Sequence, residues 1–366
     1  MVVEFSEFGS ILFYIIILSL GLITIHYADK YNSKFLLWVL IIAYSLIIGL
    51  RYGVGRDYYA YESAYDLLSS KNSFAEAKTW YDIEASYIWL CLFVKSIGGK
   101  FTLITLFYGF FTTFFYLKGI WYFRKEIRIE WAFLAYTYIF FGSFNTIRQY
   151  LAMAIIFFAF RYVIEKKPIR YFIFVAIAAV FHMTAIIAVL IYFYGTKRSW
   201  SGIFLRTLNY ILPIILIVGT NAIFRLVQSL GGLRVEGYSV SVHFGFGIFI
   251  QIAMLYLFKW NVQKETNSLL SNDDKFYFVD QILTISTILC ILDYTLGDAS
   301  RIRNYFSTIE MIAMASFAST IFPNNSEDEF PKITYGDAFL LAYHFMFLVM
   351  SFINRDMTIY PYRFIL

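Results

Sequence analysis

The stretch FTLITLFYGFFTTFFYLKGIWYF, residues 101–123, decides the fold. Lys118 is its one charge. At 1.5 Å per residue, a helix over this run is about 35 Å long, enough to cross roughly 30 Å of hydrocarbon. Its ring-rich composition suits a span whose ends sit at headgroup level, where an aromatic side chain can be dry on one side and wet on the other.

Similar runs flank it in both directions. They cover residues 8–27, 35–50, 131–144, 147–164, 171–194, 204–228, 244–260, 276–292, 305–322 and 336–352, which with the first makes about 11 apolar segments of spanning type. The whole chain agrees with this reading. It is 60% hydrophobic and only 15% charged, with 41 Phe and 31 Tyr, whereas a soluble domain holds about 25% charged residues. The expected class is an all-α polytopic membrane protein forming one membrane domain over residues 1–366. Cys91 and Cys290 lie in apolar runs and read as small hydrophobes, with no zinc-type spacing. No cleavable leader is expected, because the first apolar run is long and lacks a basic segment before it.

Basic residues set the orientation. The loops at 29–34, 124–128, 165–170 and 259–275 carry Lys or Arg beside span ends and read as cytoplasmic. The opposite face then receives residues 51–84, the turn at Asn145, and the loops at 231–243 and 293–303. Residues 83–97 are too short to span and contain Lys95, so they read as a helix lying on or dipping into the outer face. Residues 171–194 read either as one span, which puts Lys197, Arg198 and Arg206 outside, or as two half-helices with a tip near His182, which keeps those cations inside. Such re-entrant backbone needs protein or a wet cavity around it.

Five stretches carry chemistry. Arg51-Tyr-Gly-Val-Gly-Arg56-Asp57-Tyr58 follows the second span, with Asp57, Tyr61 and Tyr65 at helical spacing. Snorkelling Arg and belt Tyr explain part of it, but not the glycine pair or the acid. Asn145-Thr-Ile-Arg148-Gln149 sits between two spans with almost no loop. Asn145 is expected to cap the next helix, and Arg148 with the free N–H groups makes a socket for an anion. His182 lies deep in an apolar run, where an ionisable residue is costly; the bland alternative is a neutral His bonded to a neighbouring helix. Asp298-Ala-Ser-Arg301-Ile-Arg303-Asn-Tyr305 places cations on the side where they are unusual. The tail Tyr360-Pro-Tyr362-Arg363 reads as an interfacial anchor. Arg51, Arg56, Arg148, Arg301 and Arg303 therefore all map to one face. Their planar donor forks suit a phosphate or diphosphate.

The pattern resembles the EpsG family of bacterial exopolysaccharide polymerases, related to Wzy-type O-antigen and capsule polymerases. The resemblance rests on Arg51-x-x-x-Gly55-x-Asp57-Tyr58-x-x-Tyr61, Asn145-x-x-Arg148-Gln149, Phe181-His182-x-Thr184, Ser300-Arg301 with Tyr305-Phe306, and Pro361-Tyr362. Glu84-Ala-Ser-Tyr87 lacks the Pro-Gly that usually follows the Glu, and Arg303 is an extra charge. The resemblance implies a GT-C-like membrane glycosyltransferase with a polyprenyl-diphosphate-linked oligosaccharide as substrate. It would work on the outer face of the cytoplasmic membrane, with a chain-length regulator protein among its partners and no nucleic acid. On this reading Arg51, Arg148 and Arg301, then Arg56 and Arg303, bind the diphosphate. Asn145, Gln149, Tyr58, Tyr61 and Tyr305 meet sugar, and His182 or Asp57 is the general base. No cofactor and no metal are expected. Two rivals are a membrane O-acyltransferase, whose cations and His should open inward, and a flippase for lipid-linked glycans, whose charges should line a path through the bilayer.

Overall fold

The computed structural model describes residues 2–80, 83–196, 211, 246–268, 274–295, 299–321, 335–353 and 358–365. Among these residues the chain is highly helical. It begins with α1 (Glu7–Lys30), α2 (Lys34–Gly49), α3 (Tyr58–Ser69), α4 (Phe74–Trp80) and α5 (Ala85–Ser96). Then come α6 (Phe101–Phe123), α7 (Ile129–Gly142), α8 (Ile147–Ile164), α9 (Pro168–Phe181), a 3-10 turn over Met183–Ala188 and α10 (Val189–Thr196). The last are α11 (Phe246–Ser268), α12 (Asp274–Thr295), α13 (Ala299–Ser307), α14 (Glu310–Ile321) and α15 (Tyr335–Ile353). By length and composition α1, α6 and α8 can each cross a membrane.

The chain divides into two compact units, neither continuous in sequence. One holds Met1–Arg161, Ile169–Ile186 and Met314–Leu366, the other Tyr162–Pro168 and Ile187–Ala313.

In the first unit, Ser6 caps α1 by accepting from the Gly9 N–H at 3.0 Å. Asn32 at φ 48 and Ser33, which caps α2, make the tight turn into the next helix. α2 packs most closely on α6 because small residues let the backbones approach. A Cβ on Gly109 would lie 3.0 Å from Ile48 Cβ, and the Thr105 hydroxyl donates across the contact to the Gly49 carbonyl. The outer stripe of α1, including Phe8, Leu12, Ile15, Ile16, Leu20 and Ile23, is exposed. An apolar surface of that extent on a span-length helix calls for lipid around it. α8 is the opposite case, buried along most of its length.

Several expected segments change. The segment 171–194 is not one continuous α-helix: α9 ends at Phe181, and a 3-10 turn replaces it over Met183–Ala188. At 14 residues α9 is only about 21 Å long. The segment 305–322 is not one helix. It breaks at Thr308 and Ile309, where the Thr308 hydroxyl and the Ile309 N–H turn back onto Tyr305 and Phe306 carbonyls. Residues 83–97 form α5, too short to span by itself. The segment at 204–228 lies outside the described residues, as does Asp298.

The all-α expectation also needs one amendment. β1 (Val2–Glu4) pairs antiparallel with β2 (Arg363–Ile365), and Glu4 grips the Arg363 guanidinium at 3.1 Å through both carboxylate oxygens. The tail is therefore not a free interfacial anchor. Tyr362 is buried, stacks on Phe13 at 4.9 Å and donates its hydroxyl to the Ile47 carbonyl at 2.7 Å.

Candidate functional site

The first unit gathers three loops at one place: residues 51–57 after α2, residues 143–146 before α8, and the tail at 358–365. Gly53 and Gly55 have φ of 63 and 102, which admit glycine readily and other residues poorly. Gly55 has a second reason to be glycine, since a Cβ there would strike the Phe144 carbonyl. Its N–H donates to the Thr358 carbonyl at 3.0 Å, and the Tyr52 N–H to the Arg363 carbonyl at 2.9 Å.

Arg51 locks this junction. It is 1% exposed. Its guanidinium donates to the carbonyls of Val54 at 3.1 Å, Phe144 at 3.2 Å and Ile48, and lies over the rings of Tyr58 and Phe144. Burial pulls its pKa down to about 10, so it stays charged at neutral pH. This differs from the expected open ligand for a diphosphate: the fork is turned on the protein's own backbone, because three carbonyls converge where the helix ends. Asn145 also differs from expectation. It does not cap α8 through its side chain; its Oδ1 accepts from the Arg56 N–H at 2.6 Å and so ties the two loops together.

One helical turn on, Arg148 points elsewhere. Its guanidinium pairs with Glu84 and lies over the Tyr61 ring at 5.6 Å. The other oxygen of Glu84 receives His182 Nδ1 at 2.7 Å. All three side chains are partly exposed, at 18–19%. Glu84 immediately precedes α5, and the Ser86 hydroxyl donates to the Val180 carbonyl at 2.7 Å, which pins α5 beside the end of α9. The Tyr87 hydroxyl, donating to the Tyr61 carbonyl at 2.8 Å, fastens α5 to α3. The break after Phe181 lets the His182 side chain meet a carboxylate from another element.

A pocket of about 770 Å³ opens beside this group. Lys78, Glu84 and Arg148 line its polar side, and Ile83 with residues of α9 and the 3-10 turn line the other. Sequence reasoning assigned Lys78 no role, and Glu84 none beyond heading a segment that departs from the family pattern. The available signal was an acid heading an apolar segment too short to span.

The remaining expected residues divide by place. Tyr58 is buried against Phe101 at 5.2 Å, and Gln149 is buried in the first turn of α8. The Arg56 side chain is exposed, and Asp57 precedes α3 without a side-chain cap bond. Arg301, Arg303 and Tyr305 belong to the second unit. Arg301 is exposed and Tyr305 fully buried. Arg303 faces Asp293 at 3.6 Å and Glu310 at 3.3 Å, and the Ser286 hydroxyl also donates to Glu310. Those carboxylates offset the Arg303 charge, which sets it apart from a cation waiting for an anion. The same unit buries an ion pair between α11 and α12, Lys259 with Asp280 at 3.7 Å, joined by Thr284.

A family model described as the EpsG family matches residues 34–364. Neither the curated proteins nor the solved structures compared with this chain include a match.

Proposed function

The chain belongs to the EpsG family, a polymerase-type membrane protein of exopolysaccharide biosynthesis, and from that premise we propose that it is a glycosyltransferase polymerising polyprenyl-diphosphate-linked oligosaccharide repeat units. On this reading it is a single GT-C-like membrane domain of about 11 spans. Its site faces outward from the cytoplasmic membrane, and its product serves as exopolysaccharide, capsule or O-antigen.

The observation that carries the reading is the meeting of Arg148 and His182 on the two oxygens of Glu84, beside a pocket that is cationic on one side and apolar on the other. The reaction forms a bond from an acceptor hydroxyl oxygen to the anomeric carbon of the growing chain. It breaks the bond from that carbon to the lipid diphosphate. The departing oxygen takes the electron pair, and Arg148 stabilises the charge that develops there. The hydroxyl proton passes to His182. With Glu84 at Nδ1, Nε2 is the nitrogen left to act as the base, and it is buried, so the acceptor must uncover it on binding. Asp57 makes the weaker base, since the pocket wall is built from Glu84 and the residues around His182. Arg51 and Asn145 support the loop, Tyr58 and Gln149 pack beneath it, and Arg56, exposed on it, and Tyr61, under Arg148, are left to meet phosphate and sugar.

The test is to incubate purified protein with a lipid-linked repeat unit and look for a ladder of longer products. No ladder, with lipid-linked units moved across a vesicle membrane, sinks the polymerase in favour of a flippase. Transfer of acyl groups from acyl-CoA points to the acyltransferase. Tags in the loop at Arg56 and near Arg301 report sidedness, and tags reached only from the cytoplasm refute an outward site.

A further inference from the structure

We infer that Lys34, Lys118 and Arg161 bind the phosphate of an anionic phospholipid, at the ends of α2 and α8 away from the candidate site. This does not rest on the polymerase reading. Lys118 is the one charge of α6, and the proposed reaction gives it no role. It stands five residues before the helix end at Phe123, a rise of about 7.5 Å. A lone lysine at that depth would snorkel to water. Lys118 is not alone. The charges of Lys34, the first residue of α2, and Arg161, in the last turn of α8, both act on it, and both have its own sign. Among the described residues neither Lys34 nor Lys118 forms an ion pair.

Three helices bring these cations together. The turn between α1 and α2 meets the end of α6, where Arg124 donates to Asn32 at 3.1 Å and faces Asp29 at 3.5 Å. Gly119 lets α8 close on α6, since a Cβ there would strike the Phe157 ring. Rings form the floor of the cluster. The Lys118 ammonium lies over Trp38 at 5.3 Å and Phe114 at 6.0 Å, and the Arg161 guanidinium over Phe158 at 3.7 Å. Trp38 and Phe114 have ring centroids 5.6 Å apart, and Phe114 and Phe158 6.5 Å. Such rings attract a cation but do not cancel its charge. Like charges gathered at the edge of hydrocarbon repel, and each is costly there without an anion. A phospholipid brings a phosphate to that level, with its chains along the exposed face of α2 around Trp38. On the orientation set by the basic loops this end is cytoplasmic. Basic clusters between spans on that side hold anionic lipid heads.

The experiment places the purified full chain in phosphatidylcholine nanodiscs with increasing phosphatidylglycerol and counts the phosphatidylglycerol kept by the protein in native mass spectrometry. The parent is expected to keep phosphatidylglycerol in preference to phosphatidylcholine. Lys118→Met should raise the phosphatidylglycerol fraction needed about fivefold, the scale of one cation near a lipid surface. Lys118→Arg restores retention. Lys125→Met removes an exposed cation from the same end and changes nothing. In pure phosphatidylcholine Lys118→Met is expected to melt no lower than the parent, because repulsion is relieved. Phosphatidylglycerol should then raise the melting temperature of the parent more than that of the variant. Lower melting of Lys118→Met in phosphatidylcholine makes the residue structural and overturns the proposal. Equal retention by Lys118→Met and the parent also overturns it. An equal loss in Lys125→Met replaces the site by diffuse attraction to a basic surface. Release of the phosphatidylglycerol by millimolar inorganic phosphate overturns the lipid in favour of a soluble anion.

Discussion

Glu84 receives the Nδ1 of His182 at 2.7 Å across a sequence separation of 98 residues. This pair turns an isolated intramembrane histidine into an oriented one. The other oxygen of the same carboxylate holds Arg148, so in the proposed reaction proton transfer and leaving-group binding would share a single anchor.

Glu84→Gln keeps the size and removes the charge. Turnover in the polymerisation assay is expected to fall about 100-fold or more, the scale of general-base loss. The split between kcat and KM separates positioning from mere packing: kcat is expected to fall with KM little changed. A loss of folded protein in thermal unfolding that accounts for the whole drop contradicts the positioning role.

Arg148→Lys keeps a positive charge and loses the planar fork. If Arg148 grips a diphosphate through two donors, the rate is expected to drop by about 10²–10³. Near-normal turnover in this variant argues against bidentate binding there.

Arg51 should behave differently from Arg148. Its donors serve three backbone carbonyls, so Arg51→Met strands them in a buried junction and is expected to destabilise the fold by about 3–5 kcal/mol. The readout is thermal unfolding in detergent. A variant that melts like the parent and loses only diphosphate affinity would make Arg51 a ligand after all.

Two glycines give a matched pair. Both Gly55 and Gly98 have positive φ, but a Cβ at Gly55 meets the Phe144 carbonyl while one at Gly98 meets nothing within 4 Å. Gly98→Ala is expected to cost only the left-handed penalty of about 1–2 kcal/mol. Gly55→Ala should cost more, in the same unfolding measurement, because the loop at 51–57 must back away from the turn before α8.

Much of the chain was legible without coordinates. The extents of α6 and α8 fall where the apolar runs begin and end, since a span is written in local composition. The change of helix type after Phe181 was not written in composition, since an α-helix and a 3-10 turn share the same apolar residues. The break at Thr308 was not legible either, because two short helices in an apolar run look like one when only hydropathy is read. Glu84, though visible in the family pattern, received no role in the site for a related reason. An acid at the head of a short helix has no local partner, and its meaning depends on what arrives from α8 and α9.

Composition alone was enough to make this a helical membrane protein, because the solvent a chain requires follows from its residue types and not from their contacts. Which guanidinium supports the backbone and which faces the pocket followed only from folding. Arg51 and Arg148 are the same residue type, each beside a helix end, and in one dimension they are indistinguishable. Three carbonyls converge on the first and a distant carboxylate meets the second, and those neighbours come together only when elements far apart in the chain pack in space.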